Sequence, residues 1–412
     1  MAGWSQSRIG KAFSALGHRN YRLMWTGTLV SNTGDWMDQV ALNWLVVSTT
    51  GSPFHLALVN LCRGLPILLF VLVGGAMADR LPRRRLMMLT QSAAMALAVF
   101  LAVMVLWAGA PLWAILLVAT GRGIFTAFNM PVRHSLVSEL VPRSDLPNAI
   151  ALHSMTVNLT KILGPALAGV IIGTLGTGVC FALNAASFVV VIRSLQAMRF
   201  PPESERPPSL SIGRSILEGM AYVRAERTVL LLVLIALVPT FFGQPYLSML
   251  TLFAHDVFQT GPEGLGLLTA FAAGGSVAGA LTLASLPKVA ASGWWMMAFL
   301  LGFGALLIAF AANPFLLAAP VLLVVTGAFH IAYNAANNTI LQLRIPNEVR
   351  GRVISILMLN RGLVQLGTAA TAATAGLIGA RWALGINGLI ILVLGALVLM
   401  RERQITRLQG AE

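Results

Sequence analysis

Charge is what this 412-residue sequence has least of. Asp, Glu, Lys and Arg together make up 10% of it, where a soluble domain carries about 25%. A single soluble core stops growing near ~250–300 residues. A chain that is 57% hydrophobic, with mean hydropathy +0.81, therefore has no soluble architecture in which to hide its apolar surface. Disorder needs the opposite composition. Cysteine is nearly absent: Cys62 and Cys180 both sit in apolar runs, which excludes a disulfide framework and a thiolate metal site. The six histidines are scattered and form no His-x-x-x-His pair, so no metal is expected. No phosphate-cradling Gly-x-x-x-x-Gly-Lys run occurs, so neither ATP nor any other cofactor is expected. Without a catalytic constellation, the chain is not expected to be an enzyme. Residues 1–20 are polar and basic with no apolar core, so no cleaved leader is expected.

Acids are scarcer than bases. There are 14 Asp and Glu against 28 Lys and Arg, a net charge of +14. In a soluble protein that balance would point to nucleic acid. In a membrane protein it reports topology, because cytoplasmic connections collect Lys and Arg, and no nucleic-acid partner is expected.

What is present is a series of apolar runs, each near the ~20 residues that span a bilayer. Twelve can be placed, near residues 21–48, 54–77, 86–107, 112–132, 148–174, 178–198, 228–252, 264–286, 293–311, 314–338, 352–378 and 382–400. Of the 28 cations, Arg63, Arg122, Lys161 and Arg361 fall in the interior of these runs and Arg381 falls in one set of short connections. The remaining 23 fall in the other set, at the ends of the runs that meet it (Arg22, Arg193 and Arg352) and at the two ends of the chain. The bias predicts an all-α polytopic membrane protein with both termini cytoplasmic.

Residues 201–208, PPESERPP, break the apolar pattern. Ile212, Ile216, Met220 and Val223 follow on one face of an amphipathic surface helix. This predicts a first six-helix half over 1–200, a cytoplasmic linker over 201–227 and a second six-helix half over 228–412. The halves read as pseudo-symmetric repeats: the sequence from Phe125 to Ile150 echoes that from Phe329 to Ile354, with Pro142 matching Pro346. Duplicated halves with a site between them are a signature of secondary transporters. A channel would show a carbonyl filter or charged ring, and none is seen.

Polar stripes at helical spacing mark the faces expected to meet water. Helix 1 carries Asn32, Asp35, Trp36, Asp38, Gln39 and Asn43. Helix 2 carries Asn60 and Arg63, helix 4 Arg122, Thr126 and Asn129, and helix 5 Asn158 and Lys161. Helix 7 carries Thr240, Gln244 and Tyr246, helix 10 His330, Asn334 and Asn337, and helix 11 Arg361, Gln365 and Thr368. Helices 3, 6, 9 and 12 show little comparable and are expected outside, against lipid. A lone Asn or Thr in a span commonly makes a packing hydrogen bond worth ~0.6 kcal/mol; stripes in a repeated order point instead to a substrate cavity.

Asp35 and Asp38 are the only acids in the spans. Two carboxyl groups three residues apart interact, and one is expected to hold its proton more tightly, which nominates the pair for proton coupling. The competing reading is a structural ion pair with Arg63, at similar depth on helix 2. Arg63, Arg122, Lys161 and Arg361 leave the cavity with an excess of about +2, a counter-charge for an anionic group on a substrate.

Gly75-Ala76-Met77-Ala78-Asp79-Arg80-Leu81-Pro82-Arg83-Arg84-Arg85 resembles the signature loop between helices 2 and 3 of the major facilitator superfamily, with Pro82 where glycine is usual. Gly164-Pro165 and Gly169 on helix 5 look like a shortened antiporter motif. Arg122-Gly123 is similar to the helix-4 arginine motif, without its later glycine. Ser31-Asn32-x-Gly34-Asp35-Trp36, Pro131-Val132-Arg133 and Leu146-Pro147-Asn148-Ala149 resemble the bacterial branch of enterobactin exporters and drug–proton antiporters. The resemblance covers the whole chain. It implies a monomeric transporter of the bacterial inner membrane, exporting a siderophore or drug-like small molecule against protons by alternating access. It also implies a gating loop of Gly75, Asp79, Arg80, Arg84 and Arg133. Physically, Asp79 near the start of helix 11 would gain from that helix's dipole and could pair with Arg133. A lysophospholipid or other lipid-like substrate, and uptake rather than export, stay open alternatives.

Overall fold

The computed structural model describes residues 13–107, 109–142, 144–199, 212–346, 353, 360–402 and 404–407. No strand occurs among them. The helices are α1 (Arg19–Thr50), α2 (Pro53–Arg80), α3 (Arg83–Trp107), α4 (Leu112–Glu139), α5 (Leu146–Leu175), α6 (Thr177–Ala197) and α7 (Ile212–Ala225). They continue with α8 over Arg227–Val257, α9 (Gly261–Ala284), α10 (Gly293–Ala312), α11 (Ala319–Arg344), α12 (Asn360–Ile378) and α13 (Ala380–Arg401). Ten of the described helices are long and apolar enough to cross a membrane. α1 is not among the ten, and its polar stripe is the reason. Of α12, only Gly362–Ile378 counts as an apolar run, and residues 354–359 before it lie outside the described set.

The chain divides into two compact units. One comprises Met1–Leu42 with Leu69–Ser209, the other Asn43–Leu68 with Leu210–Glu412. The division at 209/210 falls inside the segment read as a linker, and residues 200–211 lie outside the described set. The end of α1 and the start of α2 belong to the second unit, although sequence reasoning put both helices wholly in the first. Small residues explain the pairing. A side chain at Gly362 would collide with Leu68, one at Gly376 with the Phe54 ring, and one at Gly64 with Gln365. α2 and α12 are thus zipped together at three glycines.

Within each unit the same helix pairings recur. In the first, α3 packs on α4 and α6; in the second, α10 packs on α11 and α13. Backbones touch at equivalent crossings. Gly74 of α2 lies against the Ala127 carbonyl of α4, and Gly275 of α9 lies against the Val324 carbonyl of α11. Small residues permit this close approach where lipid supplies no hydrophobic drive.

α8 is not one regular helix. It is α-helical over Arg227–Val238 and Tyr246–Leu252, with π-turns at Pro239–Gly243 and Phe253–Val257. Pro239 and Pro245 have no N–H to give to the helical ladder, and Gln244 N–H reaches five residues back to the Pro239 carbonyl at 2.8 Å.

Of the four helices expected to be bare of polar groups, α10 is bare and the other three are not. α3 buries Thr90 and Gln91, α6 buries Asn184 and Ser187, and α13 buries Asn387. Asn387 donates to Thr371 of α12 at 2.8 Å. These are single packing groups with no stripe, so helical spacing did not reveal them. Leu89, Trp107, Trp294 and Trp382 of these four helices are exposed.

Candidate functional site

In the first unit the polar stripe of α1 faces that of α4. Asn32, Asp35 and Asp38 share one side of α1, and Arg122, Asn129 and Arg133 one side of α4, as helical spacing requires. The helices run antiparallel, so the groups meet in reverse order. Arg122 Nη1 donates to Asp38 Oδ2 in a fully buried ion pair. Farther along, Arg133 Nη1 donates to Asn32 Oδ1 at 2.8 Å. Asp35 lies between them, and its carboxylate acts electrostatically on both guanidinium groups.

This corrects one expectation: the partner of Asp38 is Arg122 of its own unit, in place of Arg63. Arg133, read as part of a gating loop, hydrogen-bonds Asn32 on α1. The physical reason is depth: Asp38 is buried, and a buried carboxylate is stable only beside a group that can both neutralise and hydrogen-bond it. The α4 guanidinium does both.

The site is incompletely satisfied. Asp38 Oδ1, Arg122 Nε and Nη2, Arg133 Nε, Asn129 Oδ1 and Ser31 Oγ are buried without a hydrogen-bond partner among the described residues. Buried polar groups are normally paired, and this many unpaired ones on two facing helices mark a place where water, a proton or a polar ligand group can be taken up. α5 closes the cluster. A side chain at Gly164 would meet the Trp36 Cβ and the Thr33 carbonyl, so Gly164, Pro165 and Gly169, all buried, bring α5 against α1. Lys161, one turn before, is half-buried.

The second unit gathers a different set. The break in α8 turns Tyr246 inward, where its ring sits 6.1 Å from Phe303 and 6.2 Å from His330. The His330 and Phe303 rings stack at 4.9 Å. Tyr246, His330 and Asn337 are buried, and Gln244, Asn334 and Gln365 are half-buried. The Tyr333 hydroxyl, Asn337 Oδ1 and Gln365 Oε1 have no hydrogen-bond partner among the described residues. Trp44 and His255 meet edge to face at 5.8 Å, beside buried Asn43. Asn60, Thr240 and Thr368 hydrogen-bond their own helix's carbonyls and belong to packing. Arg63 is half-buried in this unit.

The signature run spans the end of α2, the break at Leu81-Pro82 and the first turn of α3. Gly75 is half-buried there. Arg84 Nη2 donates to the Gln196 carbonyl at 3.1 Å, placing a cation on the C-terminus of α6, where the helix dipole favours it. The side chains of Asp79, Arg80, Asn158 and Arg361 lie outside the described residues, as do residues 351 and 352 at the expected start of helix 11.

Sequence reasoning missed a second polar cluster at the same end of the first unit. A short 3-10 turn, Ser14–Gly17, precedes α1. Asp145, the residue before α5, accepts hydrogen bonds from Ser14 Oγ at 3.0 Å and pairs with His18 Nε2 at 2.7 Å. Asn148 Oδ1 accepts from the Ala15 N–H at 3.1 Å, and the Tyr21 hydroxyl donates to the Ala149 carbonyl at 2.7 Å. The hydrogen bonds from His18 first, then Ser14, hold the Asp145 carboxyl below its ordinary value of 3.8. The Leu-Pro-Asn-Ala run at 146–149 was the available signal: its Asn and the preceding Asp are docking groups for the chain ahead of α1.

With two paired helical units and a buried, partly unsatisfied ion pair in view, comparison with known proteins decides the family. The model of the transmembrane secretion effector family matches residues 10–409. The chain belongs to that family of major facilitator transporters. This transporter is 26% identical over 343 residues to the staphyloferrin A transporter of Staphylococcus aureus, covering 81% of the chain and 84% of the relative. It is 30% identical over 341 residues to the multidrug efflux pump Tap of Mycobacterium tuberculosis, covering 80% of each. Its fold resembles that of a bacterial homologue of the human lysosomal transporter Spinster, solved inward-facing and unoccupied, with a TM-score of 0.74 at 18% identity over 95% of the chain and 99% of that structure. It also resembles a mutant of the nucleoside transporter NupG, with a TM-score of 0.75 at 11% identity over 92% and 99%. The transporter is a multi-pass membrane protein that carries a small molecule, and not an enzyme.

Proposed function

We propose that the transporter is a proton-coupled exporter of an amphipathic, siderophore-like or drug-like small molecule. It works as a monomer by alternating access in a bacterial inner membrane. Twelve spans in two six-helix halves and two cytoplasmic termini complete the reading, and the one-sided Lys and Arg distribution supports that orientation. The observation that carries the coupling is the buried Asp38–Arg122 pair with one carboxylate oxygen unpartnered.

The mechanism follows from charge balance. With Asp38 ionised, the pair is neutral and holds α1 to α4. A proton arriving at Oδ1 removes the carboxylate charge and leaves Arg122 as an uncompensated buried cation, a costly state. That cation is relieved by an anionic substrate group, by Asp35, or by a shift of α1 against α4 that admits water. Losing the proton to the other side restores the pair. Asp35, half-buried between the two arginines, is the second carboxylate that passes or holds the proton. Asn32, Trp36, Gln39 and Asn158 of the first unit supply polar and aromatic surface for the substrate, as do Asn43, Gln244, Tyr246, His330, Asn334, Asn337 and Gln365 of the second. Arg63, Lys161 and Arg361 supply its positive field. Gly75, Asp79, Arg80 and Arg84 form the gate. Export is favoured over uptake because the relatives include efflux proteins, among them the multidrug efflux pump Tap over 80% of the chain.

The test is transport by purified protein in vesicles with an imposed pH gradient, across a panel of siderophores, macrolides and lysophospholipids. Gradient-driven movement of a drug or siderophore that Asp38→Asn abolishes supports the reading. Transport by Asp35→Asn and Asp38→Asn at the wild-type rate removes the coupling role. Selective movement of the lysophospholipid replaces the substrate class.

A further inference from the structure

α11 packs against α9 on one side and α10 on the other. The space left between α9 and α10 is a groove of about 240 Å³, floored by α11. Its hollow comes from missing side chains. Ala278 and Gly279 form the α9 wall, with Ala328 and Ala332 on the floor, and Gly279 lies directly against the Ala328 backbone. Phe329 and Phe299, edge to face at 5.8 Å, line the opposite wall. Gly302 leaves the room that the Phe329 ring occupies. The one hydroxyl on the wall, Thr282, donates to its own helix's Ala278 carbonyl at 2.9 Å, so the groove offers no open hydrogen-bond group.

One end of the groove is bounded by Leu286 and Val289, on either side of exposed Lys288. Residues 264 to 347 contain no Asp or Glu, and among the described residues no carboxylate pairs with Lys288. Exposed Trp294 and Trp295 open α10 close by, the position tryptophan takes at a membrane–water boundary. An apolar channel with an exposed cation and an aromatic pair near one end matches a lipid with an apolar tail and an anionic head.

We infer that this groove is a binding site for an anionic phospholipid, one acyl chain lying between α9 and α10 on α11 and the headgroup phosphate at Lys288. The site lies wholly in the second unit, shares no residue with the Asp38–Arg122 cluster, and requires only that the chain sits in a bilayer.

The experiment uses full-length protein in vesicles of phosphatidylethanolamine and phosphatidylglycerol, doped with phosphatidylglycerol carrying a photoactivatable acyl chain. The label is mapped by peptide mass spectrometry. Labelling concentrated on residues 278–289 and 328–332 is expected. Ala278→Phe, which fills the groove, lowers it at least five-fold, and Thr282→Phe at the rim does the same if Ala278→Phe fails to fold. Lys288→Gln removes the preference over photoactivatable phosphatidylethanolamine while acyl labelling persists. Label spread evenly around the bundle, or unchanged by both filling variants, overturns the site. Equal labelling by the two lipids in the wild type overturns the headgroup assignment. Displacement of the label by a transported drug or siderophore shows a substrate path and overturns the lipid reading.

Discussion

Asp38 and Arg122 form a consequential pair because, among the described residues, neither has another charged group hydrogen-bonded to it. Removing one partner of a buried pair costs about 3–5 kcal/mol, whereas removing both is often neutral. Asp38→Asn alone is therefore expected to lower the melting temperature of the purified protein sharply, as is Arg122→Gln alone. The double variant Asp38→Asn with Arg122→Gln is expected to melt near the wild type and still fail to couple transport to a pH gradient. If the double variant melts as low as the singles, the pair is not the source of the loss. Asp145 makes the opposite kind of prediction, one about acid. Its carboxyl is held below its ordinary value by His18 and Ser14. A lowered acid contributes stability above its unfolded value and loses it as pH falls through the folded one. The melting advantage of the wild type over Asp145→Asn is therefore expected to persist at pH 5 and to fall away only below pH 3.8, as the folded carboxyl takes up its proton. An advantage that disappears between pH 7 and pH 5 would contradict it.

Among the elements, the contacts that matter most are backbone to backbone. A Cβ at Gly275 would lie on the Val324 carbonyl and one at Gly327 on the Ala272 carbonyl, so neither helix of the α9–α11 pair can yield by turning a rotamer. Gly275→Leu and Gly327→Val are each expected to destabilise the protein by about 1–3 kcal/mol or more, read as earlier melting in detergent. Gly274, with open space around it, is the neighbouring control, and Gly274→Leu is expected to melt normally. The sequence made much of this level readable. Apolar runs located the helices, and stripe spacing placed Asn32, Asp35, Asp38, Arg122 and Asn129 on facing sides. Which cation met which acid was not readable, because sequence order carries depth only along a single helix. Matching depths between helices depends on tilt and on where glycines let backbones close. The groups before α1 were missed for a related reason: Ser14, His18 and Asp145 are far apart in sequence, and none belongs to a periodic stripe.

Over the whole molecule, the charge asymmetry makes a topological prediction. Single-cysteine variants in a background lacking Cys62 and Cys180 separate the two sides. Arg381→Cys is expected to react with a membrane-impermeant maleimide in intact cells, whereas Lys288→Cys and Arg401→Cys react only after permeabilisation. Reaction of Arg401→Cys in intact cells would invert the orientation, and with it the direction in which a proton gradient could drive the carrier.

The interrupted helix α8 bears on how this protein can change by mutation. Each π-turn accommodates one residue more per turn than the ladder around it, as a tolerated insertion would. Deleting a single codon within residues 239–243 would shorten the wide turn toward ordinary helical spacing. Because the wide turn already holds the extra residue, the helix beyond it would keep nearly its present orientation, and Tyr246 its place against the Phe303 and His330 rings. A one-residue deletion, normally ruinous inside a membrane span, thus has a ready place to fall here, where it removes the wide turn and spares the helix on either side.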